Sequence, residues 1–185
     1  MSESSHPLVR VLTRAARVVQ AFNQWVARAM AWLAVAMVAI FVSVVVLRYG
    51  FSLGPIWLQE SAQYLHAAIF LLAAAGVIVV DGHVRVDVLR TRFAPHVQRR
   101  IEVLGHLLLL LPFALFLLWA STPYVMESWR IGERSVETSG LPFVYLLKTL
   151  MPFAALQLAT QALASAWLLA VEEQPLAPPH HEEGL

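Results

Sequence analysis

The sequence predicts an all-α membrane protein with four transmembrane helices and an N-terminal amphipathic helix. Three observations lead there. The first is composition. Of 185 residues, 59% are hydrophobic and 14% charged. Soluble domains run nearer half apolar and a quarter charged. The second is distribution. The apolar residues gather in four blocks, 29–47, 62–80, 103–122 and 151–171. Each is near the ~20 helical residues needed to cross a bilayer core of about 30 Å. Lipid offers no partner to open backbone groups, so each block is read as a helix. The uniform runs lack the alternation of a membrane β-barrel. The third is charge. Arg10, Arg14, Arg17 and Arg28 precede the first block, and Arg85, Arg90, Arg92, Arg99 and Arg100 lie between the second and third. Only Arg48, Arg130, Arg134 and Lys148 lie on the other side. The positive-inside rule then places the N-terminus, the 81–100 loop and, after four spans, the C-terminus in the cytoplasm.

The elements follow in order. Residues 1–7 are polar and expected to be disordered. From 8 to 28, Leu8, Leu12, Ala15, Val19, Phe22 and Val26 share one face, and Arg10, Arg14, Arg17, Gln24 and Arg28 share the other. This predicts a basic amphipathic helix in the membrane interface, its arginines on anionic headgroups. It is a topology anchor or, in addition, an arm on a partner subunit. No continuous apolar core of a signal peptide precedes the first span. That span, 29–47, is expected to end at Arg48-Tyr49-Gly50, with Gly50, Gly54 and Pro55 as breakers. Tyr49 and Trp57 suit an interfacial aromatic belt. The second span is followed by DGHVRVDVLRTRFAPHVQRR, read as a short amphipathic cytoplasmic segment broken before Pro95. The third span starts near His96, with a kink expected at Pro112 and heavy lipid exposure. Residues 123–142 form the largest extracytoplasmic segment, expected as a short helix or hairpin. The fourth helix spans about 143–171. The membrane domain is thus 8–171, and the Pro-rich acidic tail 172–185 is expected to be disordered.

Several constellations bear on function. There is no cysteine, so no disulfide, thiol nucleophile or cysteine-based metal site exists. His66 and His106 lie roughly 22 Å and roughly 9 Å from the cytoplasmic face at 1.5 Å per residue. They cannot share a haem iron. His83 and His96 have no carboxylates in metal spacing, so no metal or cofactor is expected. Glu60 reads as a carboxylate at a helix N-terminus or as a contact to a partner helix. Lys148 is expected to snorkel rather than pair. Gln157, Gln161 and Ser165 form one polar stripe on the fourth helix, suited to interhelical hydrogen bonds. Ala73 and Gly76 belong to a small-residue run in the second helix that permits close backbone approach. No broken half-helices or inverted repeat indicate a transport site.

RYGF after the first span, Trp57 and Glu60 before the second, a small-residue centre ending at Gly76, and GHVRVDVL from Gly82 to Leu89 together resemble the small permease subunit of the tripartite ATP-independent periplasmic (TRAP) transporters, DctQ type. The resemblance runs from about Arg10 to Ala170 and includes the Leu141-Pro142 entry to the fourth helix. Ser61 and Asp81 depart from the family's pattern. The resemblance implies a non-enzymatic, multi-pass subunit of the bacterial inner membrane. Its large partner subunit would carry sodium and an organic acid that a periplasmic binding protein delivers. On this reading Trp57, Glu60, Ala73, Gly76, His83, Arg85, Asp87, Gln157 and Gln161 are the candidate partner contacts. Arg10, Arg14, Arg17 and Arg28 face the membrane surface. No nucleic acid is expected as a partner. Two competing readings are the membrane anchor of a cytochrome b-like redox complex and a small self-contained transporter. The first needs histidines matched in depth, and the second needs a deep acidic residue in a span.

Overall fold

A computed structural model of the chain describes residues 7–79 and 93–171. Four helices are long and apolar enough to cross a membrane: α1, Pro7–Phe51; α2, Ile56–Val79; α3, Pro95–Ile131; and α4, Val144–Val171. There is no strand among the described residues. Within α3, α-helix over Pro95–Gly105 passes through a π-helical turn, His106–Leu110, into α-helix over Leu111–Ile131. The π turn falls just before Pro112. A proline removes one backbone donor and its ring crowds the carbonyl four residues back. A widened turn at that point accommodates both, where the sequence pointed to a kink.

The expected interfacial helix, 8–28, is not a separate element. It is the first half of α1, which runs unbroken for 45 residues, roughly 68 Å at 1.5 Å per residue. No glycine or proline lies between Leu8 and Leu47 to stop it. The face expected to be uniformly apolar also divides. Val26 is buried and Val19 half-buried, whereas Leu8, Leu12, Ala15 and Phe22 are exposed, and Ala16, outside that face, is buried instead. Small and polar side chains at Ala16 and Asn23 let this segment approach its neighbours closely. Leu8, Val11, Val18, Phe22 and Trp25 point outward.

α1 ends one residue beyond Gly50. The left-handed residue of the turn is Ser52 (φ 55°), not a glycine, and Leu53 N–H closes the turn onto Leu47 C=O at 2.9 Å. α3 outlasts its expected span and ends at Gly132 (φ 58°, ψ 50°). Glu133 N–H donates to Ser128 C=O at 3.0 Å and Gly132 N–H to Trp129 C=O at 3.2 Å, the reciprocal pattern of a glycine C-cap. The connection between α3 and α4 is therefore 132–143. It contains neither a helix nor a strand, because α3 absorbs what the sequence assigned to a loop.

α4 is the central helix. Over its most apolar window 56% of residues are buried, against 6% to 17% in the other three helices. It packs on α1, α2 and α3. Its buried residues are mainly small: Ala154, Ala155, Ala159, Ala162, Ala164 and Ala166. Small residues allow the close helix approach that drives packing where lipid removes the hydrophobic advantage. α3 turns large apolar side chains outward, among them Leu108, Leu109, Phe113 and Phe116. The 1–6, 80–92 and 172–185 segments lie outside the described residues, and with them the expected cytoplasmic amphipathic segment and most of both tails.

Candidate functional site: two polar clasps in the helix set

Polar side chains collect at two levels of the bundle. The inner level is neutral. Asn23 of α1 is 1% exposed and Gln161 of α4 is 0% exposed. Asn23 Nδ2 donates to Gln161 Oε1 at 2.9 Å. Gln157 Nε2 donates to Asn23 Oδ1 at 3.2 Å, and Gln161 Nε2 donates to Ser165 Oγ at 2.9 Å. The predicted stripe Gln157–Gln161–Ser165 thus closes on a side chain the sequence reading passed over. Asn23 was placed in an interfacial segment, yet it sits seven residues after Ala16 on the same helix face. Its signal was an amide in a row otherwise made of alanine and valine. Gln157 Oε1 has no hydrogen-bond partner among the described residues.

α2 reaches the same level at Gly76. A Cβ there would overlap Ala27 Cβ and stand 2.5 Å from Asn23 C=O. Backbone meets backbone at this point, which only glycine permits. About two to three turns beyond the amides, Trp167 Nε1 donates to Thr13 Oγ1 at 3.1 Å, and Ala16, Ala164 and Leu168 pack together. The small-residue face of α2 is used inside the chain. The same holds for Gln157 and Gln161. Ala73 is half-buried and His66 is exposed.

The outer level is charged. Glu60 lies at the start of α2, roughly 24 Å along the helix from Gly76. Its Oε2 accepts from Leu141 N–H at 2.5 Å, and its Oε1 accepts from the Ser135 hydroxyl. Ser135 Oγ accepts from Glu137 N–H at 3.1 Å, and Ser135 N–H donates to Leu141 C=O at 3.2 Å. One carboxylate therefore holds both ends of a tight loop. Gly140 fits because a Cβ would run into Ser135 and Glu60. Beside it, Glu133 accepts from Ser128 Oγ at 2.6 Å and Lys148 Nζ at 2.5 Å. Lys148, expected to snorkel, pairs instead, because the Gly132 cap folds Glu133 back over α4. Its ammonium also stands 4.0 Å from the Tyr124 ring centroid, a cation–π distance. The Lys148 hydrogen bond, followed by that of Ser128, holds the Glu133 carboxyl below its ordinary value. Trp129 completes the level, donating to Thr149 Oγ1 at 2.9 Å and packing on Tyr145 at 4.6 Å between centroids.

The candidate contacts thus separate. Glu60, Gly76, Gln157 and Gln161 are engaged within the chain, and Trp57 is exposed at the start of α2. His83, Arg85 and Asp87 lie outside the described residues. Arg10, Arg14, Arg17 and Arg28 are exposed along one side of α1. The two clasps fix helix positions and give no arrangement of nucleophile and base.

The pattern of one protein family, the DctQ component of the Tripartite ATP-independent periplasmic transporters, matches residues 37–172. The match takes in most of the first span and all of α2, α3 and α4, and leaves out the basic first half of α1. No curated protein and no solved structure matches the chain. The chain belongs to the DctQ component family and is a multi-pass small permease of the TRAP transporters.

Proposed function

We propose that this chain is the non-catalytic small subunit of a bacterial inner-membrane TRAP transporter. It holds the large permease subunit in place while that subunit takes up an organic acid with sodium. A periplasmic binding protein delivers the substrate. The observation that carries this reading is the family match across nearly the whole helix set. The geometry supports it. Buried amides join α1 to α4 and Gly76 seats α2 on α1, while broad apolar faces of α1 and α3 turn outward. Such a body suits a fixed scaffold. The charge asymmetry orients it with both termini in the cytoplasm. In that orientation Arg10, Arg14, Arg17 and Arg28 meet anionic headgroups, and Trp57 stands on the periplasmic side for a partner.

Co-expression with the neighbouring large permease gene tests the reading. A tagged chain should carry the large subunit through size exclusion in a one-to-one complex. Two separate peaks after gentle solubilisation contradict it.

A further inference from the structure

A groove of about 490 Å³ opens where α3 begins and α4 ends. His96, Arg99, Arg100, Val103 and Leu104 of α3 line it, with Ala170 of α4. Two chemistries meet in it. The first two turns of α3 supply two arginines and a histidine, and the next turn, with the end of α4, supplies an apolar wall. The lining contains no acid.

The sequence here runs against a local preference. A helix N-terminus carries the positive end of the dipole, which favours acids and disfavours bases. α3 has no acid in its first turn and no side-chain cap; it places His96 there and follows it with Arg99 and Arg100 in the second turn. Local rules are broken mainly where function compensates. An anion in the groove would answer to the bases and to the helix end together. Arg99 already has an interaction within the chain, so the inference rests on Arg100 and His96, which are exposed.

The position identifies the anion. Ala170 is in the last turn of α4, at the end opposite the Glu60 clasp. By the charge asymmetry this is the cytoplasmic membrane face, and basic pockets between helices on that face bind lipid headgroups. A free phosphate would use the bases but has no use for Val103, Leu104 and Ala170. We infer that this groove binds one anionic phospholipid, its phosphate against His96 and Arg100 and an acyl chain along Val103, Leu104 and Ala170. None of the α1 arginines lines the groove, and the inference needs only the membrane orientation, not the scaffold role.

Native mass spectrometry of the full chain in detergent tests it, with phosphatidylglycerol, phosphatidylcholine and inorganic phosphate as separate arms. The wild type should hold one phosphatidylglycerol about tenfold more tightly than phosphatidylcholine, and inorganic phosphate should not displace it. The double variant His96→Gln with Arg100→Gln should lose that preference, and Arg10→Gln with Arg14→Gln should keep it. Leu104→Asn, which spares the charges, should weaken the lipid adduct and serves if the double variant fails to fold. Equal retention of both lipids by the wild type, or an unchanged adduct in a folded double variant, overturns the inference. Displacement by inorganic phosphate overturns it as well, by assigning the groove to a free anion.

Discussion

The inner clasp ties α1 to α4 and the outer clasp ties α2, α3 and α4 around one loop, by opposite means. At the inner level Asn23, Gln157, Gln161 and Ser165 are neutral and buried. At the outer level Glu60, Glu133 and Lys148 are ionisable, and the Lys148–Glu133 pair keeps 16% and 29% of its side-chain surface exposed. The difference follows burial. A charge shut away from water is costly, and an amide can meet its hydrogen-bonding needs there without ionising. Near the interface a carboxylate stays solvated enough to hold a loop. One clasp therefore sets how helices pack, and the other sets how a loop lies over them. The first should ignore pH and govern global stability. The second should respond to pH and act locally.

The sharpest way to break this comparison is at Gly76. Gly76→Leu drives a side chain into Ala27 and the Asn23 backbone, where neither can move aside cheaply. Its expected outcome is loss of the monodisperse peak in size exclusion. A folded, fully stable variant would show that α1 and α2 do not meet there.

A smaller loss is expected at Asn23. Asn23→Leu strands Gln161 Oε1 and Gln157 Nε2, and a buried group left unsatisfied costs about 1–3 kcal/mol. Thermal unfolding in detergent should show this loss equally at pH 5 and pH 8. A pH-dependent effect would erase the distinction between the levels.

Glu60→Gln should act on the loop alone. It weakens the hold on Ser135 and Leu141, so trypsin should cut faster after the exposed Arg134 while the melting temperature stays close to wild type. Local opening of this kind is separable from global unfolding. A large drop in melting temperature would make Glu60 part of the core.

The mildest effect is expected at Glu133. Its folded value lies below its unfolded one, so its contribution is present above the ordinary carboxylate range, near pH 4.3, and is lost as pH falls through the lowered folded value. Wild type should lose stability on acidification below that range, and Glu133→Gln should reduce that loss. Identical pH profiles would remove the ion pair from the account.

Much of this was legible in the residues, and the gaps have physical causes. Hydropathy located the four spans because their length and uniformity answer to bilayer thickness. It could not show that α1 continues through the boundary at Arg28, since nothing in a helix marks where the membrane ends. Ala73 and Gly76 announced close packing but not its partner, and Gly76 meets α1 of the same chain. The amide stripe on α4 was visible as a period of four, yet its completion by Asn23 lies 134 residues or more away in sequence. Lys148 was read alone because its partner depends on the left-handed Gly132, a backbone choice that periodicity does not encode.

Sodium-driven uptake in proteoliposomes tests the central claim most directly. The chain, the large permease and both together would be reconstituted with the binding protein and labelled organic acid. The account expects uptake only when both membrane subunits are present and none from this chain alone. Uptake by this chain alone, or full uptake by the large permease without it, would contradict the scaffold role.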